Sequence, residues 1–206
     1  MKKLFICVIC ILSISVLASN APNNQADKYF SKNLNLTVAQ KIPFDFSCCY
    51  DEDLQALFSN KNGDLIAKYL QTYGRPSAGY SIRYHNKDSF VTVFIYDSEG
   101  KTIEREMQLL LGGLKLFAQF GKYRDLVIQK GIEKGKLEIS KLDYVANYCR
   151  YKDRMRGKWI NWYSFSLILK KNNKLVKVRI SSEKKLGAEK LDLFIKNLDA
   201  QLTASR

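Results

Sequence analysis

The most constraining feature of this sequence is a pair of extended segments joined by a very short turn. Residues 159–169 are rich in aromatic and branched side chains, and the dipeptide at 172–173 is Asn-Asn. Residues 175–181 then alternate apolar side chains with Lys177 and Arg179. Such alternation buries one face of a strand and exposes the other. Because parallel strands need long crossover connections, this short turn predicts an antiparallel pair with Lys177 and Arg179 on its wet face.

Other segments show the same two periodicities. Strand-like composition on both sides of a polar turn at residues 85–88 predicts a β-hairpin. Apolar residues at helical spacing predict amphipathic helices, and the acidic cluster at residues 51–53 suits the start of a helix. The predicted extended segments are residues 36–46, 79–84, 89–96, 137–148, 159–169 and 175–181, and the predicted helices are residues 51–58, 65–73, 102–120 with a continuation through 123–132, and 188–202.

This order of elements predicts an α+β domain in which an antiparallel β-sheet is flanked by helices. Residues 36–206 are long enough for one such domain with a full hydrophobic core. Residues 22–35 are polar and rich in asparagine, and we expect them to form a flexible mature N-terminus.

The first residues have the order of a secretory signal peptide. Lys2 and Lys3 precede an apolar run over residues 4–17, and small residues follow. The run is shorter than the roughly 20 residues of a spanning helix. We predict a signal peptide over residues 1–18, and the alternative cleavage after Ala21 would place a proline next to the cut bond. The chain is therefore expected to be exported, either to the periplasm or to the outside of the cell.

Positive charge is concentrated in the second half of the chain. Residues 101–206 contain 24 basic and 11 acidic residues, and residues 149–185 contain 12 and 2. Such a field attracts anionic partners, and export makes nucleic acid an unsuitable one. Tryptophans beside the arginines also suit peripheral membrane contact. The simpler interpretation is that this basic segment is a solvated loop whose tryptophans enter the core. The predicted binding face consists of Arg150, Lys152, Arg154, Arg156, Lys158, Lys177 and Arg179.

Three cysteines lie beyond the signal peptide. Thiols tend to pair in an oxidising compartment, and adjacent cysteines bridge each other only with strain. We therefore predict a disulfide between Cys149 and either Cys48 or Cys49. The remaining thiol would be buried, paired between chains or reactive.

No recognisable catalytic, cofactor or metal motif is present in the sequence. The single histidine, His85, lies in a predicted turn, and no G-x-S-x-G or H-E-x-x-H pattern occurs. Gly112-Gly113 lacks the spacing of a phosphate-binding loop, which leaves close helix packing or a kink. The carboxylates that could serve a glycosidase are at positions suited to caps and turns, namely Asp51, Glu52, Asp53, Asp97 and Glu99.

One resemblance is carried by the strand pattern. Residues 79–84 and 90–97, the long helix after them and residues 175–181 resemble exported bacterial proteins of PsbP-like fold. The resemblance covers most of the mature chain and implies an α/β/α sandwich with a binding or assembly role. It implies no site residues.

The leading hypothesis is thus an exported, non-enzymatic binding or assembly protein of the bacterial envelope that presents a basic face to an anionic component or protein partner. A small exported hydrolase or thiol-redox protein without a recognisable motif is one alternative. A secreted factor acting on a host is another. No cofactor or metal is expected, and the sequence leaves the oligomeric state open.

Overall fold

The computed structural model describes residues 28–155, 157–185 and 187–204, so the predicted signal peptide lies outside the described residues. The helices are Ile103–Gln119 (α1) and Ala188–Thr203 (α2). The strands are Lys28–Phe30 (β1), Lys41–Pro43 (β2), Cys48–Asp51 (β3), Ala56–Ser59 (β4), Lys61–Asn62 (β5), Leu65–Thr72 (β6), Tyr80–His85 (β7), Ser89–Asp97 (β8), Tyr123–Ile128 (β9), Glu133–Lys136 (β10), Asp143–Met155 (β11), Lys158–Lys171 (β12) and Lys174–Ser182 (β13).

A ten-stranded antiparallel sheet forms the centre of the molecule. Its strand order is β10-β11-β12-β13-β8-β7-β6-β2, with β5 added on β6 and β9 added on β11. The Asn172-Asn173 turn connects β12 to β13 as predicted, with Lys171 opposite Lys174. Asn172 takes a φ of 54°, a left-handed conformation that asparagine tolerates better than most residues. The α+β class with an antiparallel sheet is confirmed.

The two faces of this sheet bury separate clusters. On one side, which we call the α1 face, α1 packs over β9, β11 and β12. Leu114 of α1 joins Tyr151 and Trp162 of the sheet in that layer. On the opposite side, the α2 face, α2 packs together with a small sheet of β1, β3 and β4. There Leu198 of α2 shares a core with Leu167 of β12. Alternate side chains of each strand therefore serve different layers.

Two of the predicted helices are strands. The acidic cluster at residues 51–53 lies in the turn between β3 and β4, where an Asp51 carboxylate oxygen accepts from the backbone N–H of Leu54 at 2.8 Å. An aspartate can make this local bond in a turn as well as at a helix start. The helix predicted over residues 65–73 is β6, in which an irregularity between Ala67 and Tyr69 shifts the pairing register. That shift breaks the period of two on which strand prediction depends.

The segment after α1 is also corrected. Gly121, with a φ of 71°, lies just beyond the helix end, and the chain then returns as β9 instead of continuing as a helix through residue 132. A glycine with positive φ at this position is a common helix terminator.

The N-terminal predictions need correction too. Residues 28–33 belong to β1 and a 3₁₀ turn, and β1 pairs in parallel with β3, so this part of the predicted flexible segment has regular structure. Only Lys41–Pro43 is a strand within the extended segment predicted at residues 36–46.

The glycine pair of α1 does not mediate close packing. A Cβ atom added to Gly112 or Gly113 would meet nothing within 4 Å beyond the local helix backbone. Close helix packing was therefore the wrong explanation for this pair.

Candidate functional site: a basic strip and its pocket

Strand β11 places three of the predicted basic residues on one side of the sheet. Arg150, Lys152 and Arg154 occupy alternate positions, opposite Tyr163, Asn161 and Trp159 of β12. Alternate positions point to the same face of a strand, and this row shares the α2 face with Tyr148. The sequence therefore aligns three cations because every second residue of β11 is basic at this end.

A fourth cation from β9 joins this row. Arg124 pairs with Lys152 across the two strands, and its guanidinium carbon lies 4.2 Å from the centre of the Trp159 ring. Such stacking of a guanidinium on an indole face holds the cation in place and still leaves its N–H groups available. We call Arg124, Arg150, Lys152 and Arg154 the basic strip.

One carboxylate interrupts the positive charge of the basic strip. The Lys152 ammonium lies 2.6 Å from an Asp125 carboxylate oxygen, and this hydrogen bond holds the pKa of Asp125 below its usual range. No ion pair is formed by Arg124, Arg150 or Arg154 within the part of the chain that the structure describes. The strip therefore keeps a net positive charge that a partner could neutralise.

A pocket of about 520 Å³ adjoins the strip at Arg150. Its volume lies in the range that is usual for small-molecule sites. Tyr148 and Tyr163 contribute aromatic walls, Val127 contributes an apolar one, and Lys185 contributes a second cation. The full lining consists of Val127, Gln129, Tyr148, Cys149, Arg150, Tyr163, Ser164 and Lys185.

The phenol group of Tyr148 is a neutral donor near physiological pH. Burial, together with the nearby Glu133 and Asp192 carboxylates, raises the pKa of Tyr148. Its ring packs against Phe165 at 4.8 Å between centroids, which fixes the wall of the pocket to the core. The pocket thus combines aromatic surface and cations, a combination suited to an anionic group on an apolar or ring-shaped body.

The other predicted members of the binding face lie elsewhere. Lys158 is exposed and occupies a register position on the α1 face, and Arg156 lies outside the described residues. Lys177 and Arg179 also belong to the α1 face, since they line a groove beside α1. The expected single basic face is therefore wrong, because the sheet separates Lys177 and Arg179 from the strip.

The predicted disulfide is absent from the structure. Cys48, Cys49 and Cys149 are all free and buried. Cys49 lies in the core of the α2 face, whereas Cys149 belongs to the cluster under α1, so the sheet stands between the two thiols. Burial raises the pKa of both Cys49 and Cys149, which disfavours the thiolate form that redox chemistry needs.

The carboxylates considered for hydrolysis have structural partners. Asp51 is buried and accepts from the Tyr80 hydroxyl at 2.8 Å. Asp53 and Asp97 both contact the Lys174 ammonium, at 3.1 and 2.8 Å, while Glu52 contacts Lys32 and Glu99 contacts Lys101. His85 is exposed at the end of β7. Among the described residues, no group of three or more histidine, cysteine or carboxylate side chains could hold a metal ion.

Several residues of the pocket and the strip are not among the site residues predicted from the sequence. Arg124 and Val127 fall in the segment predicted as a helix. A helix at this position does not predict their pairing with Lys152 and Arg150 of β11. Tyr148 and Tyr163 were recognised only as strand residues. A sequence signal did exist for Tyr163. It shares one face of β12 with the core residues Phe165 and Leu167, yet it lies at the basic end of the strand.

Comparisons with known proteins add no family to this description. No helix in the described residues is long and apolar enough to cross a membrane. The chain matches no protein-family model, and no curated protein shows significant similarity to it.

Proposed function

We propose that this chain is an exported, non-enzymatic binding protein that takes an anionic envelope partner along the basic strip. The observation that carries the proposal is the alignment of Arg150, Lys152 and Arg154 on one face of β11, beside a pocket that Arg150 lines. Strand rigidity keeps these cations at fixed spacing, which favours recognition of a partner over diffuse attraction.

Exposure supports this proposal. Arg124, Arg150 and Arg154 are exposed, so they reach a partner without rearrangement. Basic residues near an anionic lipid surface contribute about 1 kcal/mol each, and the attraction falls within a Debye length.

The alternatives have less support in the described residues. A thiol-redox role would need an accessible thiolate, and both Cys49 and Cys149 are buried. A hydrolase of the paired-carboxylate type would need acids facing a cleft, whereas Asp53 and Asp97 share the Lys174 ammonium. The resemblance to PsbP-like exported proteins agrees with a binding role and stays a prediction.

Charge reversal on the strip tests the proposal. The mature chain is mixed with vesicles that contain phosphatidylglycerol and, separately, with envelope extract, and the bound fraction is measured by sedimentation. The variant Arg150→Glu/Lys152→Glu/Arg154→Glu is expected to weaken vesicle binding roughly a hundredfold, because three contributions of about 1 kcal/mol each are lost. The same variant should fold normally, since surface ion pairs contribute little to stability.

The control reverses three exposed lysines elsewhere, as Lys61→Glu/Lys87→Glu/Lys115→Glu. This control changes the net charge by the same amount. A loss of binding that is confined to the strip variant would therefore indicate a defined site, whereas equal losses in both variants would indicate general electrostatic attraction. Equal retention of the strip variant and the wild-type chain in both assays would refute the proposed function.

A further inference from the structure

A second candidate site lies on the opposite face of the sheet. A groove of about 230 Å³ runs between α1 and the strands β8 and β13. Leu109, Leu110 and Phe117 form its apolar side, and Lys177 and Arg179 contribute cations. The complete lining is Phe94, Leu109, Leu110, Gly113, Leu114, Phe117, Lys177 and Arg179.

Arg179 has only neutral partners among the described residues. Its Nη2 donates to the Tyr151 hydroxyl at 2.8 Å, its Nε donates to the Ser164 hydroxyl at 3.4 Å, and it lies over the Tyr151 ring. No carboxylate pairs with it there. A half-buried guanidinium without a counter-ion is costly, and its five N–H donors outnumber the three hydroxyl groups around it, which are those of Tyr151, Ser164 and Tyr123.

Lys177 differs from Arg179 in this respect. Its ammonium lies 3.2 Å from a carboxylate oxygen of Glu106, which also accepts from the Tyr96 hydroxyl at 2.7 Å. Glu106 is buried, so this pair is shielded from solvent screening. The positive charge of the groove is therefore concentrated on Arg179.

We infer that this groove binds a single-chain amphiphile whose anionic headgroup pairs with Arg179. The planar guanidinium can donate two parallel N–H bonds to the oxygen pair of a carboxylate or a phosphate, and the ligand anion would supply the missing counter-charge. The alkyl chain would lie against Leu109 and Phe117, which are 47% and 43% exposed in the free chain. Covering these side chains removes apolar surface from water.

Gly113 explains how the groove stays open. It lies on the groove side of α1, and a Cβ atom there would enter empty space. A larger side chain at this position would occupy the volume that the alkyl chain needs. Its neighbour Gly112 has the same open surroundings but does not line the groove, so the two glycines form a matched pair for a test.

Calorimetric titration of the mature chain with decanoate, decyl phosphate and decanol tests this inference. Decanoate or decyl phosphate is expected to bind more tightly than decanol, and the better of the two identifies the headgroup as carboxylate or phosphate. Arg179→Gln should weaken the better ligand by about tenfold to a hundredfold, the usual contribution of hydrogen bonds to charged groups. Arg75→Gln, at an exposed arginine outside both the groove and the basic strip, serves as the matched control and should leave this binding unchanged.

Gly113→Leu should abolish binding, while Gly112→Leu should leave it unchanged. Both substitutions replace glycine by a better helix former at an open position, so thermal unfolding should show that neither variant loses stability. Absence of binding to the wild-type chain would overturn the inference. So would decanol binding as tightly as both anions, or equal binding by the Gly113→Leu and Gly112→Leu variants. Because the basic strip is intact in these variants, its vesicle binding reports separately on the proposed function.

Discussion

At the scale of single residues, Asp199 shows how one buried carboxylate connects distant parts of the chain. Its two oxygens accept the backbone N–H groups of Ile139 and Ser140 at 2.7 and 2.9 Å. Asp199 belongs to α2 and is 2% exposed, whereas its donors lie in the connection between β10 and β11. Burial tends to raise the pKa of Asp199, but the hydrogen bonds from Ser140 and Ile139 outweigh burial and lower it.

A lowered pKa predicts acid-dependent stability. Asp199 ionises at lower pH in the folded chain than in the unfolded chain, so its contribution is complete above the unfolded value of about 4 and is lost as pH falls through the folded value. Asp199→Asn should therefore lower the free energy of unfolding at neutral pH by about 2 kcal/mol and reduce the loss on acidification. Urea unfolding at several pH values measures both effects.

Asp192→Asn, an exposed change on the same helix, should behave like the wild-type chain. Parallel acid curves for Asp199→Asn and the wild-type chain would contradict this role of Asp199.

At the scale of elements, strong and uninterrupted periodicity decided which predictions succeeded. The β7–β8 hairpin, β12, β13, α1 and α2 all contain long regular patterns and were predicted close to their observed bounds. The errors at β3–β4, β6 and β9 have local causes: an aspartate that bonds its turn, a register shift and a helix-ending glycine. These causes depend on hydrogen-bond partners that local patterns do not specify.

The glycine at position 112 of helix α1 allows a direct test of how helix composition affects stability. Gly112 is exposed, has helical neighbours on both sides and has open space where a Cβ atom would go. Gly112→Ala should therefore raise the free energy of unfolding by about 0.5–1 kcal/mol, because alanine loses less backbone entropy in a helix. Thermal or urea unfolding measures this gain. A loss of stability would show that Gly112 has a contact or a helix distortion that its open surroundings do not suggest.

At the scale of the whole molecule, the sheet acts as a partition. It separates Cys49 from Cys149, and it separates the basic strip from Arg179 and Lys177. The expected disulfide assumed that the cysteines lie close together in space, and the expected single basic face assumed the same of the basic residues. Strand alternation and the intervening sheet place them on different sides.

The free thiols predict that reduction has no effect on stability. The urea midpoint of the chain, purified without reductant, should be the same with and without dithiothreitol. A disulfide that closes a loop of about 100 residues would contribute up to about 5 kcal/mol in the entropy model, so its reduction would be easy to detect. A lower midpoint in dithiothreitol would contradict this prediction and would support a disulfide between Cys149 and either Cys48 or Cys49. Alkylation in denaturant, followed by mass measurement, counts the free thiols independently.

The sequence alone determined the α+β class, the antiparallel pairing of β12 and β13, and the basic character of β11 and β13. These properties follow from local periodicity, turn length and composition, which neighbouring residues specify by themselves. Only the tertiary structure decided that Arg150, Lys152 and Arg154 share one face while Arg179 lies under α1. Which face of a strand meets a helix depends on packing between segments far apart in the chain, and no local pattern encodes that choice.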